Sequence, residues 1–357
     1  MAALRDAGHE VMVVGPVLLE GADFGHDSGI VQLVRSYLPK VVNELLELAY
    51  NLPAYLRLRR AYDSFRPDII YERYNLFTLA GTMLSRRTET PILLEVNAPL
   101  ADERERFSGL GLRRLARKLE KLTWRNAAYL FTVTGALKDI VIAQSGVDPD
   151  RVVVLHNAIN VSHFIGPRGG RKSDGPVVLG FVGFVREWHG LDRIIGDLAQ
   201  YGKSKPVKLI IAGEGPGKPA LERQAKALGL ADCVQFTGLV ARTDIPALIH
   251  QFDIALQPDV VPYASPLKIF EYMACECAIV APNSSNIREV LIDGETALLF
   301  DPQDQSAMWK AIARLLDDSV LRQRLGVAAR SALLRNGHTW IQNAQRVIEI
   351  ASSEIKK

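Results

Sequence analysis

The sequence predicts an α/β protein built from two doubly wound domains, each a parallel sheet covered by helices on both faces. Three observations predict it. The chain has 357 residues, and single cores stop growing beyond about 250–300 residues, so two domains of ordinary size are expected. Short β-branched and aliphatic runs alternate with longer stretches of helical period, the pattern of strand–helix–strand construction. The alternation is interrupted once, at residues 170–176, where charge, Gly and Pro accumulate as in an interdomain linker.

In the first half, strands are expected at residues 9–16, 68–71, 92–96, 130–133 and 152–155, short runs bounded by turn formers. Met1 to Ala7 reads as the last turns of a helix, with Gly8 as its left-handed cap and a strand from His9 to Gly15. A doubly wound domain normally opens on a strand before that helix. The first strand of this domain and its loop are therefore expected to be missing, through a shortened start or a true loss. In the second half, strands are expected at 177–182, 208–212, 234–237, 254–257, 278–281 and 297–300, each followed by a loop and a helical stretch.

Hydrophobic residues make up 48% of the chain and charged ones 23%, which excludes disordered and collagen-like classes. No apolar stretch reaches the roughly 20 residues of a bilayer span, and no charged-then-apolar leader opens the chain. A cytoplasmic protein is expected. Cys233, Cys275 and Cys277 form no spaced framework and read as packing, not metal ligands. Net charge is only +3, yet residues 104–125 hold eight basic and two acidic residues. Leu112, Leu115, Leu119 and Leu122 recur there at helical spacing, with Arg113, Arg114, Arg117, Lys118, Lys121 and Arg125 on the other faces. That helix either turns its leucines to the core or rests on an anionic membrane surface, and the two are compatible. Without interleaved aromatics or a reading motif it does not suggest nucleic acid.

The strongest chemical signal follows the strand expected at 254–257. Ser265 suits an N-cap and Pro266 a first helical position, so a helix should start there with its free amides facing the sheet's carboxyl edge, where a phosphate is favoured. Lys268 has the wrong sign for a helix N-terminus, which points to an anion partner. Glu271 shares its face and suits the vicinal hydroxyls of a ribose; a surface Lys–Glu pair is the plainer alternative. Three loops, Gly183 to Gly190, Gly213 to Pro216 with Gly215 inside it, and Gly238 to Val240, end strands of the same domain, and their glycines permit close backbone approach. Arg186 and His189 are candidate diphosphate partners.

These blocks, taken in order, resemble the family-4 glycosyltransferases, retaining nucleotide-sugar-dependent enzymes of the GT-B fold. The matching stretches are Gly180-Phe181-Val182-Gly183, Ile210-Ile211-Ala212-Gly213-Glu214-Gly215-Pro216, Phe236-Thr237-Gly238 and Ser265 through Ala274, then Ile287-Arg288-Glu289-Val290, Asp293-Gly294 and Leu298-Leu299. In the first half they are Gly8-His9-Glu10-Val11, Pro67-Asp68-Ile69-Ile70-Tyr71 and His156-Asn157-Ala158. The resemblance implies two Rossmann-like domains facing across a cleft: residues 1–166 on the acceptor side, 167–338 binding the nucleotide sugar, and a C-terminal helix at 339–357 packing back on the first domain.

It further implies sugar transfer from a UDP- or GDP-sugar to a glycan or lipid-linked acceptor, in polysaccharide or glycolipid synthesis, with retention of configuration. Lys268, Arg186 and Glu271 would act on the donor, with Gly183, His189, Gly213, Gly215, Val240, Tyr263, Ser265 and Leu267 around it. Two departures stand out. Tyr263 occupies the position of a usual glutamate, leaving the sugar's hydroxyls to Tyr263 or to the amides of Ala264 to Leu267. Asn97 follows the strand where many members carry a histidine near the acceptor, and Glu95 and Glu103 join it as candidate acceptor contacts.

Charge building on the departing diphosphate would be met by cations and amides, so no metal or cofactor is expected. Asp148-Pro149-Asp150 reads as turn chemistry. A peripheral position at the inner face of the cell membrane follows from the basic helix. A catalytically inactive sugar-nucleotide-binding relative is the alternative. An oxidoreductase would need Gly-x-Gly-x-x-Gly after a strand, which neither half shows.

Overall fold

The computed structural model describes residues 1–15, 38–166, 175–201 and 206–355. The chain forms two compact units, residues 1–156 with 344–357, and residues 157–343. The linker expected at 170–176 lies outside the described residues except for its last two positions.

In the first unit, β1 (Ile70–Arg73), β2 (Ile92–Val96), β3 (Tyr129–Thr132) and β4 (Val152–Val154) form a parallel sheet in the order β1-β2-β3-β4. Parallel strands covered on both faces are apolar throughout, and Ile92, Leu93, Leu94 and Val96 of β2 are all buried. Leu93 and Phe131 gather with Val347 and Ile350 of the last helix, Trp340–Ile355. The opening helix Ala2–Asp6 is closed by Gly8 at φ +88°, with His9 N–H donating to Leu4 O at 3.2 Å, the 6→1 bond of a glycine-capped terminus. The strand expected from His9 is not formed over the described residues 9–15. A strand exists only through its ladder, and Met12 and Val13 are exposed without one.

The helix Arg113–Asn126 forms, but its leucine stripe does not face the core. Ala116, Glu120, Thr123 and Trp124 are buried, while Leu115 and Leu122 are exposed. The leucine stripe is the more apolar of the two, yet the fully buried indole of Trp124 lies on the stripe that turns inward. Glu120 also needs that face, because it accepts Ala101 N–H at 3.2 Å at the start of helix Leu100–Phe107. Burial raises the Glu120 carboxyl to about 7. Glu44, on helix Lys40–Ala49, does the same for Arg113–Asn126, accepting Gly111 N–H at 2.8 Å and Leu112 N–H at 2.6 Å. Glu44→Ala should therefore destabilise the protein by about 1–3 kcal/mol, the cost of losing two hydrogen bonds to a buried charged group, read as a lower midpoint in urea.

In the second unit, β5 (Val177–Val182), β6 (Val207–Ala212), β7 (Val234–Gly238), β8 (Ile254–Leu256), β9 (Ala278–Pro282) and β10 (Leu298–Phe300) form a parallel sheet in the order β10-β9-β8-β5-β6-β7. Core side chains cover both faces. Leu179 and Phe181 pack on one side, while Val178 and Val182 join Phe252, Phe270 and Tyr272 on the other. Gly180 leaves room for the Phe252 ring, whose Cγ would lie 2.1 Å from a Cβ there. The strand order reverses between β5 and β8, where ligands bind in such sheets. Tyr272 Oη ties the two strands at that place, accepting Val182 N–H at 3.0 Å and lying 3.5 Å from Leu256 O.

Candidate active site

At the carboxyl ends of β5, β6 and β7 the chain turns on glycines packed backbone to backbone. Gly183 N–H donates to Ala212 O and Gly213 N–H to Gly238 O, each at 2.9 Å. A Cβ on Gly213 would lie 2.0 Å from Gly183 O, and one on Gly215 2.1 Å from Val185 O. These two glycines are demanded first by the neighbouring 183–190 loop. A ligand would meet the platform they create.

The helix after β8 is Leu267–Ala274, and its N-cap is Pro266. Ser265 is not the cap. Its hydroxyl accepts Asn157 N–H at 3.3 Å and its carbonyl accepts from Asn157 Nδ2 at 2.6 Å. Committed to that asparagine, the side chain is turned away from the first-turn amides. Lys268 is half-buried, with Nζ 3.9 Å from the centroid of Phe181. Gly183 makes space for it, since a Cβ there would stand 2.9 Å from Lys268 Nζ. Burial lowers the Lys268 ammonium to about 7, Glu271 acting in the opposite direction. Burial raises the Glu271 carboxyl, and Arg242 and Lys268 pull it back.

In the loop after β5, the Arg186 guanidinium lies over the Phe184 ring at 4.9 Å. His189 is buried, 5.2 Å from Phe181 between ring centroids, and its Nδ1 accepts Arg186 N–H at 3.3 Å. Burial, then the charges of Lys268 and Arg186, push His189 down to about 3. It is a neutral imidazole that shapes the loop, and its proton sits on Nε2. Val240 is half-buried and packs against the core. Tyr263 is half-buried and Leu267 exposed.

The structure thus gathers Gly183, Gly213, Arg186, His189, Lys268 and Glu271 around one sheet edge. It also adds residues the sequence reasoning passed over. Arg242, exposed in the loop after β7, acts electrostatically on Glu271. Asn286 is buried, and its Nδ2 donates to Ala264 O at 2.7 Å and Val261 O at 3.2 Å. Its one legible signal is an amide side chain just after an apolar strand, in the short helix Ser285–Arg288, where once buried it must find partners.

In the first unit, Glu95 and Asn97 are brought together at the end of β2. Glu95 accepts from Asn97 Nδ2 at 2.7 Å and from Tyr71 Oη at 2.8 Å, with Arg73 Nε at 3.8 Å. Glu103 lies in the first turn of helix Leu100–Phe107. Asp148 accepts Asp150 N–H at 3.0 Å in a turn over Pro149–Arg151, and its carboxylate is engaged there.

Residues 1–158 match the glycosyl transferase 4-like domain and residues 167–332 the glycosyl transferases group 1 family. Glycogen synthase of Mycobacterium tuberculosis is 26% identical over 273 residues, a match spanning 76% of this chain and 65% of that enzyme. The 2-deoxystreptamine glucosyltransferase of Streptomyces kanamyceticus is 24% identical, spanning 95% of this chain and 91% of its own. HepE of Anabaena, solved in complex with UDP, superposes with a TM-score of 0.70 at 20% identity, covering 84% of this chain and 82% of HepE.

Proposed function

Because the chain belongs to the family-4, group 1 glycosyltransferases of the GT-B fold, we propose that it moves a sugar from a UDP- or GDP-sugar to a glycan or lipid-linked acceptor with retention of configuration. The observation that carries this reading is Lys268, held over Phe181 beside Gly183 at the start of a helix whose Leu267 and Lys268 amides bond to no described protein atom. Breaking the anomeric bond gathers negative charge on the departing diphosphate. Lys268, Arg186 and the amides of Leu267 and Lys268 meet that charge, and preorganised donors of this kind are the largest single contribution in many enzymes. Glu271 holds the ribose hydroxyls. The departing diphosphate assists deprotonation of the acceptor on the retained face. Glu95, Asn97 and Tyr71 are the acceptor contacts.

Tyr263, in place of a carboxylate, favours a second reading in which the chain binds a sugar nucleotide without turning it over. Incubation of the purified chain with a panel of UDP- and GDP-sugars separates the two by released nucleotide. The enzyme reading expects release from at least one donor, well above the protein-free blank. Binding without release would support the inactive reading.

The exposed face of Arg113–Asn126 fits an anionic membrane. Arg113 and Arg117 are paired with Glu105 and Asp102, whereas Arg114 and Lys118 are exposed and Lys121 half-buried beside exposed Leu115 and Leu122. Each such cation near an anionic surface contributes about 1 kcal/mol. Arg114→Glu/Lys118→Glu/Lys121→Glu should weaken cosedimentation with phosphatidylglycerol vesicles by about a hundredfold or more. Unchanged cosedimentation would remove the membrane from the account.

A further inference from the structure

The geometry points to two asparagines, Asn157 and Asn286, as positioning residues that aim the diphosphate-binding amides of the 261–268 segment; this rests on the nucleotide-sugar reading above. Asn286 is buried in the short helix Ser285–Arg288 that follows β9 and receives a hydrogen bond from Ser284 Oγ at 2.7 Å, which fixes its amide with Nδ2 toward the 261–264 turn. From there Nδ2 holds two carbonyls, Val261 O and Ala264 O. Asn157 holds the next one, Ser265 O, from the opposite side in sequence.

A trans peptide carries its C=O and N–H on opposite edges, and the chain has no cis bond among the described residues. Pinning Ala264 O inward therefore turns Ser265 N–H the other way. Pinning Ser265 O fixes the plane that leads through Pro266 into the helix. The N–H groups of Ser265, Leu267 and Lys268 bond to no described protein atom, so the clamp leaves three donors set for a ligand. Pro262 and Pro266 have no N–H to give this turn. One backbone bond, Ala264 N–H to Val261 O at 3.1 Å, closes it. The asparagines replace the missing backbone bonds and set the direction of the free amides before any ligand arrives, which is preorganisation in the catalytic sense.

The clamp acts on the outer phosphate and spares the base and ribose, held elsewhere. The test compares UDP with UMP, and GDP with GMP, by calorimetric titration of the full chain. Wild type should prefer the diphosphate. In Asn286→Ala that preference should fall by about tenfold or more, the loss expected when hydrogen bonds to a charged group are misaimed, while the monophosphate affinity is unchanged. Asn286→Asp keeps the shape but cannot donate to the two carbonyls, so it should fail as alanine does. Asn157→Ala should lose the same preference through the other carbonyl, giving a second test should the Asn286 variants not fold. Equal loss of mono- and diphosphate affinity, or an unchanged preference, would overturn the clamp. Wild type with no preference for either diphosphate would instead overturn the nucleotide-sugar reading beneath it.

Discussion

Lys268→Ala is expected to lower nucleotide-sugar turnover by about 100- to 1,000-fold, the usual effect of removing one preorganised donor to developing charge. Without a ligand, Lys268 is a poorly solvated ammonium lowered to about 7 by burial, set against Phe181 at 3.9 Å. A diphosphate supplies the negative partner and raises that pKa. Above pH 7 the lysine is largely neutral before binding and charged after it, so binding takes up a proton and affinity falls as pH rises. Calorimetry in buffers of different ionisation heat reads that uptake directly, and it should vanish in Lys268→Ala. The unliganded fold carries the matching sign. The folded lysine titrates at about 7 and the unfolded one at 10.5, so between these values the unfolded chain binds more protons and stability rises with pH.

Gly213→Ala is the second large effect. Its φ of +130° is a region that L side chains rarely adopt, and the new Cβ would lie 2.0 Å from Gly183 O. That oxygen belongs to backbone that is itself bonded through Gly183 N–H to Ala212 O, so it cannot swing aside as a side chain could. Strain and overpacking together should cost about 2–5 kcal/mol, and donor binding should fail with the displaced 183–190 loop. Gly229→Ala is the control. It sits at φ +71° with nothing within 4 Å of a Cβ, so only the backbone penalty of about 1 kcal/mol applies. Thermal melts of the two variants should differ accordingly.

The strands were legible because a covered parallel sheet writes itself as compact apolar runs. β2 and β5 stand where the sequence places them, at Ile92–Val96 and Val177–Val182, and the other paired strands differ by one or two residues at their ends. The 9–15 segment misled because β-branched composition does not supply a neighbour to pair with. Arg113–Asn126 misled for another reason: periodicity finds apolar stripes but does not rank them, and the buried carboxylate Glu120 and the indole of Trp124 outweighed four leucines. At the site, Lys268 and Glu271 were readable from charge placed against a helix dipole. The local pattern also suggested Ser265 as cap, yet a partner 108 positions away, Asn157, claimed the hydroxyl. Asn286 lies in the short helix Ser285–Arg288 and Arg242 in the loop after β7, and they reach the site only through the fold, so local spacing could not announce them.

The central claim is that the start of helix Leu267–Ala274 grips a nucleoside diphosphate through Lys268. Titration of UDP and GDP into wild type and Lys268→Met, which keeps the apolar stem and removes the charge, tests it most directly. The account predicts saturable binding of at least one of the two by wild type and at least about tenfold weaker binding by the variant, as for loss of a charged hydrogen bond. Equal affinities in the two proteins would contradict it.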